Sequence, residues 1–373
     1  MKIGLIIYGS LDTISGGYLY DRKLVEYLRS QGDSVEIFSL PWTRYGRHLT
    51  HNFSRRLLTQ LQNATFDVLL QDELNHPSLF WLNRQLRGSV SYPIISIVHH
   101  LRSSEKHPAL HNLLYRQIEK TYLRSVDGFI FNSQTTKQVV ENLVGQKRPF
   151  VVAYPAGDRF QQTITAEGIK LRANQTSEVL KTSEVLDAPK PLQILFVGNL
   201  IPRKGLHNLI TTLTTLPKTE WHLHVVGSTK VDINYTRKIK RQIETAVLTP
   251  NITFHHTLAD EQLAQQMAQS HILVMPSQYE GFGIVYLEGM GFGLPAIGST
   301  SGAAWEMIQD GENGFLVDAE DTAVLAQRIQ HLHQNRDQLL QMSLAAQQTY
   351  QQWPTWERSM QSIRTFLLQQ IGN

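Results

Sequence analysis

The chain of 373 residues contains no cysteine. This absence excludes disulfide bridges, thiolate metal sites, iron–sulfur clusters and a cysteine nucleophile. It is typical of a reducing compartment, so the sequence predicts a cytoplasmic protein. The chemistry of the chain is therefore expected to rest on carboxylates, basic side chains, imidazoles and the backbone.

Long hydrophobic runs are also missing. No apolar run approaches the roughly 18 residues of a membrane span, and the apolar stretch Lys2–Tyr8 is too short for a signal peptide. The 15 histidines show no HExxH or other tight ligand spacing, so the sequence predicts no metal and no cofactor. With 41% hydrophobic and 18% charged residues, the composition indicates a globular protein of two or three domains.

The net charge of +3 hides an uneven distribution. Residues 1–150 hold 18 of the 35 Lys and Arg residues but only 12 of the 32 Asp and Glu residues. The remainder of the chain is therefore mildly acidic. This asymmetry predicts that only the first part of the chain meets an anionic surface.

Short apolar runs alternate with longer helical patterns along the whole chain. The predicted strands are 3–8, 34–39, 67–70, 94–98, 127–131, 150–153, 193–197, 221–226, 252–254, 272–275, 295–298 and 315–317. The predicted helices are 17–31, 112–125, 133–144, 205–216, 235–248, 260–269, 283–291, 302–309, 320–346 and a last one after Pro354. This alternation predicts an α/β fold with two doubly wound parallel sheets.

A polar stretch without a strand pattern separates the two series of elements. We therefore expect an N-terminal domain over 1–159, a linker over 160–191 and a C-terminal domain over 192–352. Residues 353–373 read as a separate C-terminal helix, because apolar residues recur there at helical spacing. Ligands of doubly wound domains bind at the carboxyl ends of the strands, so a cleft between the domains is the expected site.

The segment Pro276–Met290 carries the clearest chemical signal. Glu280 lies in the turn after strand 272–275, and Gly281 and Gly283 on either side of Phe282 permit close approach of backbone N–H groups to a ligand. The start of the following helix favours an anion. Glu288 follows two turns later, and carboxylates accept hydrogen bonds from hydroxyl groups. A ligand with both hydroxyls and phosphates, such as a sugar nucleotide, fits this set.

Glu280 and Glu288, with Gly281–Gly283 between them, resemble the E-x7-E signature of family 4 retaining glycosyltransferases (glycosyl transferases group 1), which have the GT-B fold. Further fragments in the order of that family are Ser15-Gly16-Gly17, Asp127–Ser133, Tyr154–Phe160, Phe196–Gly205, Ser301–Glu306 and Asp310–Gly314. The resemblance implies two Rossmann-like domains that face each other across a cleft, with a C-terminal helix that crosses back to the first domain.

The resemblance also implies roles for single residues. Lys204 would contact the donor diphosphate, Glu288 the ribose hydroxyls and Glu280 the donor sugar near the reacting centre. His99 would bond the donor sugar and line the acceptor side. Glu280, His99 and Lys204 are thus the predicted catalytic residues. The predicted donor-binding residues are Gly16, Gly17, Gly198, Asn199, Arg203, Gly281, Phe282, Gly283 and Glu288.

Two positions depart from the family pattern. Asn199 stands where the family usually has an arginine, so either Arg203 compensates for it or the diphosphate is bound differently. His256 stands where the family often has a glycine near the nucleotide base. These departures bear on how the diphosphate and the base are recognised.

The function that the resemblance implies is a retaining, metal-independent transfer of a sugar from a nucleotide-diphosphate donor to a hydroxyl acceptor. That acceptor is a glycan, a lipid or a small molecule. Two alternatives remain open from the sequence. One is a nucleotide-sugar epimerase of the same fold, and the other is a non-catalytic protein that binds nucleotide sugars.

The stretch 41–57 is basic and contains no acidic residue. Its basic and aromatic members are Arg44, Arg47, His48, His51, Arg55, Arg56, Trp42, Tyr45 and Phe53. This combination suits an anionic membrane at its inner face or a phosphorylated acceptor, although a solvated loop explains it equally well. No nucleic-acid motif accompanies it, so no nucleic-acid partner is expected. The helix predicted over 111–125 is amphipathic, and packing of its apolar face in the core is the simpler explanation.

Overall fold

The computed structural model describes residues 1–13, 15–160, 163–177 and 190–372. The chain divides into two compact units. The first consists of Met1–Pro155 together with Pro354–Asn373, and the second of Ala156–Trp353. The described parts of the predicted linker, residues 160, 163–177 and 190–191, therefore count with the second unit, whereas residues 161–162 and 178–189 lie outside the described residues.

A six-stranded sheet forms the centre of the first unit. Its strands are β1 (Lys2–Tyr8), β2 (Ser34–Leu40), β3 (Val68–Asp72), β4 (Ile94–Val98), β5 (Gly128–Phe131) and β6 (Phe150–Val152). Their spatial order is β2-β1-β3-β4-β5-β6, and every pair is parallel. All residues of β3, β4 and β5 are buried, as expected when helices cover both faces of a parallel sheet.

Helices connect these strands. They are α1 (Gly16–Ser30), α2 (Tyr45–His48), α3 (Arg55–Gln62), α4 (His76–Leu79), α5 (Leu82–Leu86), α6 (Ala109–Leu123) and α7 (Gln134–Val144). Serines at the N-caps of α1, α3 and α7 accept hydrogen bonds from backbone N–H groups of the first helical turn. The stretch 41–57 is therefore not a loop, because α2, a 3-10 turn and the start of α3 lie within it.

The second unit repeats the architecture. Its strands are β7 (Leu192–Val197), β8 (Trp221–Val226), β9 (Ile252–His256), β10 (Ile272–Met275), β11 (Ala296–Ser299) and β12 (Gly314–Val317). Its helices are α8 (Ala166–Ser177), α9 (Leu206–Leu213), α10 (Ile233–Thr245), α11 (Asp260–Gln269), α12 (Ile284–Gly291), α13 (Thr322–Gln334) and α14 (Arg336–Gln352). The all-parallel sheet has the order β12-β11-β10-β7-β8-β9.

The last helix, α15 (Trp356–Ile371), belongs to the first unit, as the resemblance implies. The ring of Trp356 lies edge-on to Tyr20 of α1 at 5.7 Å. Arg364 pairs with Asp33 at 2.7 Å, and Asp33 also accepts a hydrogen bond from the N-terminal ammonium of Met1. Buried aromatic and ionic contacts thus fix the C-terminal helix to α1 and to the loop after it.

The twelve strands and the doubly wound fold class confirm the sequence prediction, whereas two predicted helices are wrong in extent. The helix predicted over 302–309 is only a 3-10 turn, Ala304–Glu306, preceded by Gly302 in the left-handed region. The helix predicted over 320–346 breaks into α13 and α14 at Asn335, whose φ of −115° and ψ of 72° are not helical.

Only part of the apolar face of α6 is buried in the core. Ile118 and Tyr122 are buried, but Leu113 and Leu114 near the start of the helix are exposed. Within the described ranges, none of the helices has the length and apolarity that a membrane crossing requires.

Candidate active site

Glu280 lies in the loop after β10, and a backbone hydrogen bond fixes its position. Its carbonyl oxygen accepts a hydrogen bond of 3.0 Å from the N–H of Ala303, in the loop after β11. Gly302 makes this contact possible, since a Cβ atom there would lie 2.1 Å from the same oxygen and its φ is +97°. The side chain of Glu280 is 9% exposed. The neighbouring strands β10 and β11 therefore fix a buried carboxylate at their carboxyl ends.

The loop after β7 brings two cations to this carboxylate. Lys204 Nζ lies 2.5 Å from Glu280 Oε1, and Arg203 Nη1 lies 3.7 Å from Glu280 Oε2. Arg203 also donates a hydrogen bond of 2.7 Å to the carbonyl oxygen of Tyr279. Gly205 has a φ of +73°, and a Cβ atom there would lie 1.8 Å from the carbonyl oxygen of Pro276. The two loops can approach this closely only because residue 205 has no side chain.

The two cations determine the charge state of Glu280. Burial alone raises the pKa of a carboxyl group, but Lys204 and Arg203 outweigh this effect and lower the pKa of Glu280 to about 2. The site thus combines one fixed negative charge with two positive charges. Its net positive charge is what an anionic ligand requires.

Glu288 lies on α12, eight residues after Glu280, and its surroundings differ. Its Oε1 lies 2.9 Å from Nε of Arg159, which also lies 3.7 Å from Asp260. Burial raises the pKa of Glu288 to about 7, although Arg159 acts in the opposite direction. Arg159 was not singled out from the sequence, because no spacing rule links it to a glutamate 129 positions later in the chain.

The glycines and their neighbours have distinct local roles. Gly283 has a φ of +89° at the N-cap of α12, where no side chain caps the helix. Phe282 is buried, and its ring lies 6.0 Å from that of Trp353. Gly198 lies in ordinary contact with Lys204, since a Cβ atom there would be 3.4 Å from Lys204 Cδ. Their predicted roles in donor binding, with that of Gly281, stay predictions.

The two departures from the family pattern have structural explanations. The Oδ1 of Asn199 accepts a hydrogen bond of 3.3 Å from the N–H of Ser228 and so joins the loops after β7 and β8. His256 has a φ of +55°, a region in which glycine is favoured. The conformation of the backbone at position 256 therefore explains why a glycine suits it.

A second cluster of charged residues lies in the first unit, at the carboxyl ends of β3 and β4. His99 follows β4, and its Nε2 lies 3.2 Å from Oδ1 of Asp21 on α1. Gly16 and Gly17 form the start of α1, and a Cβ atom on Gly17 would lie 3.2 Å from the His99 ring, so a residue without a side chain gives this ring its room. Sequence analysis missed Asp21, although its place one helical turn after Gly17 puts it on the same face of α1.

Carboxylates control the protonation of His99. Burial lowers the pKa of an imidazole, but Asp21, Asp72 and Glu73 raise the pKa of His99 to about 9. Burial also raises the pKa of Asp72 to about 7 and that of Glu73 to about 8. The ligand atoms of Asp21, Asp72 and His99 lie close enough together to hold a cation, as do those of Glu73, His76 and Glu119. The absence of a metal stays a prediction.

The second unit is similar in sequence to a known protein family. Residues 181–349 match the family model described as Glycosyl transferases group 1. This part of the chain, somewhat less than half of its length, is therefore similar to that family of sugar-transferring enzymes. The chain spans about half the length of the first curated relatives it matches. One of them is the GDP-mannose-dependent α-(1-6)-phosphatidylinositol monomannoside mannosyltransferase of Mycobacterium tuberculosis, 26% identical over 47% of this chain and 46% of that protein.

Solved structures extend the likeness of fold to both units. The sucrose-phosphate synthase of Thermosynechococcus elongatus superimposes with a TM-score of 0.82 at 20% identity, covering 100% of this chain and 99% of that one. Anabaena HepE in complex with UDP-glucose superimposes with a TM-score of 0.74 at 20% identity, covering 99% and 100%. The fold of the whole chain is thus that of GT-B glycosyltransferases, with two Rossmann-like domains.

Proposed function

We propose that the protein is a retaining glycosyltransferase that moves a sugar from a nucleotide-diphosphate donor to a hydroxyl acceptor. The observation that carries this proposal is the cluster of Lys204, Arg203 and the buried anion Glu280 at the carboxyl ends of adjacent strands. A departing diphosphate develops negative charge on its oxygens, and fixed cations stabilise that charge without solvent reorganisation. Arg203 takes the place of the arginine that Asn199 replaces in the family pattern.

In the proposed reaction, the bond between the anomeric carbon and the diphosphate oxygen breaks. The acceptor hydroxyl oxygen forms the new bond to the same face of that carbon, and its proton goes to the departing phosphate oxygen. Lys204 and Arg203 bind the diphosphate, and Glu280 orients both cations and accepts hydrogen bonds from the sugar. Glu288 accepts hydrogen bonds from the ribose. No step requires a metal ion or a cofactor.

His99 would act from the first unit. An imidazolium with its pKa raised to about 9 is a hydrogen-bond donor at neutral pH, so it suits a sugar hydroxyl or a developing negative charge. Because its Nε2 faces Asp21, the other ring nitrogen is the one available to a ligand.

The donor is expected to be a nucleotide sugar, as in the relatives. One relative is named for GDP-mannose and one structural neighbour holds UDP-glucose, so the two bases are the first to test. The acceptor in the name of the Mycobacterium tuberculosis relative is a phosphatidylinositol monomannoside. A phosphoryl-bearing lipid or glycan is accordingly the acceptor class that we favour, in polysaccharide or glycolipid synthesis in the cytoplasm.

A peripheral contact with the inner face of an anionic membrane is part of the proposal. Trp42 and Phe53 within 41–57 are 61% and 73% exposed, and all four arginines of that stretch are exposed. Leu110, Leu113 and Leu114 of α6 are exposed as well. The rings of Tyr45 and Tyr115, 4.6 Å apart, join the two segments into one basic and apolar surface.

A thermal-shift screen of nucleotide diphosphates and sugar nucleotides tests the donor assignment. A ligand at 100 times its dissociation constant stabilises the folded state by about 2.7 kcal/mol. We expect one nucleotide series to raise the melting temperature of the wild type and not that of Lys204→Gln. If no nucleotide raises it, the proposal is wrong.

Product analysis separates transfer from the two alternatives. A changed sugar formed from the donor alone would identify an epimerase. Nucleotide binding without turnover over a broad acceptor panel would identify a binding protein. Transfer with retained anomeric configuration, in the presence of a chelator, is the expected result.

A further inference from the structure

Arg102 of the first unit holds its guanidinium group over two aromatic rings. The central carbon of this group lies 5.2 Å from the ring centre of Tyr45 and 4.8 Å from that of Tyr115. The two rings are themselves 4.6 Å apart and inclined by 62°. Contacts of this kind fix the plane of a guanidinium while its N–H donors, which lie at the edge, remain available.

Those donors have no protein partner within the described ranges of the chain. The guanidinium group of Arg102 makes no hydrogen bond or ion pair there, and its Nε is shielded from water. Other half-buried arginines differ, since Arg172 donates to the carbonyl oxygens of Phe292 and Gly293 and Arg364 pairs with Asp33. A shielded guanidinium N–H without an acceptor is costly, and an anionic ligand supplies the acceptor.

The carboxylates in this region are engaged elsewhere. Glu119 accepts hydrogen bonds from the N–H and the hydroxyl of Ser103. Glu105 faces His100 at 3.3 Å and His107 at 3.7 Å. Neither carboxylate lies within ion-pair distance of Arg102 in the described structure, so its charge is left for a ligand.

The surroundings of Arg102 are basic and lie near the predicted acceptor side. Arg102 follows His99 by three positions in the loop after β4. Burial and the charge of Arg102 both lower the pKa values of His48 and His76, so these imidazoles are neutral near pH 7 and Arg102 carries the positive charge of this group. The exposed arginines of 41–57 add long-range attraction for an anion.

We propose that Arg102, aligned by Tyr45 and Tyr115, binds a phosphoryl group carried by the acceptor. The planar fork of a guanidinium matches two phosphate oxygens, and its alignment by the two rings reduces the entropy lost on binding. That the ligand is the acceptor rests on the proposed function, whereas the phosphoryl site itself does not. The same group is present in a soluble sugar phosphate and in a phospholipid headgroup.

Calorimetric titration of the whole protein with glycerol 3-phosphate tests the site. The titration uses the Lys204→Gln background, so that the predicted diphosphate site does not contribute. The variants are Arg102→Gln, Arg102→Lys and, as matched control, Arg116→Gln, which removes an exposed arginine of α6, the helix that carries Tyr115. Circular dichroism melting of each variant confirms folding.

We expect Arg102→Gln to weaken binding about tenfold or more and Arg116→Gln to change it less than about twofold. Arg102→Lys keeps the charge but loses the planar arrangement of N–H donors, so its affinity should lie between those of Arg102→Gln and Arg116→Gln. The proposal for a soluble phosphate is overturned if Arg102→Gln binds as tightly as the Lys204→Gln parent protein, or if that parent protein does not bind. The vesicle experiment then decides whether the phosphoryl group comes from a lipid.

The second arm measures sedimentation with vesicles of phosphatidylglycerol, with phosphatidylcholine vesicles as reference. Loss of binding in Arg102→Gln but not in Arg116→Gln identifies a lipid headgroup as the source of the phosphoryl group. Vesicle binding that is insensitive to Arg102, together with an insensitive calorimetric titration, rejects the site. Neither the titration nor the sedimentation depends on sugar transfer. A negative result in these two experiments is therefore distinct from a negative result in the thermal-shift screen for the donor.

Discussion

Glu280 and Glu288, eight residues apart and both buried, have pKa values shifted in opposite directions. Lys204 and Arg203 overcome the effect of burial and lower the pKa of Glu280 to about 2, whereas burial prevails at Glu288 and raises its pKa to about 7. Two carboxylates with divergent environments are suited to different tasks. Glu280 is a permanent anion that orients two cations, and Glu288 changes its charge near neutral pH.

Replacement of Glu280 with glutamine should abolish transfer without unfolding the protein. The change removes the anion that orients Lys204 and Arg203 but keeps the size of the side chain. We expect kcat to fall at least about 100-fold, since the loss of one positioned electrostatic partner typically has this effect. Steady-state kinetics with a donor from the thermal-shift screen measures it. Glu261→Gln, an exposed position on α11, is the control. Turnover like that of the wild type in Glu280→Gln would contradict the assigned role.

Glu288 should make the second unit less stable as the pH rises. The pKa of the group is about 7 in the folded state against 4.5 in a free side chain. Between these values the folded state binds more protons than the unfolded state, so the free energy of unfolding falls with rising pH across this window. The loss is on the order of 2–3 kcal/mol.

Urea unfolding of the wild type and of Glu288→Gln at pH 5 and pH 8 measures this contribution. Since other groups titrate in the same range, the difference between the two proteins is the informative quantity. The variant should lose less stability between the two pH values than the wild type. Parallel pH profiles of the two proteins would show that Glu288 does not titrate as described.

Much of the fold was predictable because buried parallel strands leave a strong signal. Runs such as 94–98 and 272–275 are almost wholly apolar, and every predicted strand is present. The helix break at Asn335 was not predictable from periodicity, since the apolar pattern of α13 continues into α14 without a proline or glycine between them. The exposure of Leu113 and Leu114 was missed because an apolar stripe indicates burial but not what buries it.

The sequence predicted the signature residues of the candidate site, but it did not predict the side chains that pair with them. The spacing from Glu280 to Glu288 is local in the chain and therefore visible. The pairs Arg159–Glu288 and Asp21–His99 join positions far apart in the sequence, and only the folded chain brings them together. The same holds for Arg102, whose lack of an ionic partner is a property of the fold.

Asp21 should control the protonation of His99. We expect Asp21→Asn to lower the pKa of His99 well below 9, because the nearest of the three carboxylates that raise it loses its charge. Titration of the imidazole by NMR spectroscopy measures the change. Asp12→Asn, an exposed substitution near α1, should leave the pKa unchanged.

The same variant should change the stability profile. A histidine whose pKa is raised on folding stabilises the folded state at pH values below its ordinary pKa of 6.5. This stabilisation disappears as the pH rises to about 9. Asp21→Asn should therefore lose stability at pH 6 and match the wild type more closely at pH 9.5. A uniform loss at both pH values would indicate that Asp21 supports packing and not the charge of His99.

Gly302 should be far less tolerant of alanine than Gly311, although both have positive φ angles, +97° and +83°. Both substitutions carry the cost of that conformation, about 1 kcal/mol. A Cβ atom at Gly311 meets no atom within 4 Å, whereas one at Gly302 would lie 2.1 Å from the carbonyl oxygen of Glu280. Gly302→Ala must therefore displace the segment that holds Glu280, and we expect it to cost at least about 2 kcal/mol in total and to lose nucleotide binding. Thermal denaturation with and without the nucleotide measures both effects. If the two variants bind nucleotide equally well, the contact between Gly302 and Glu280 does not shape the site.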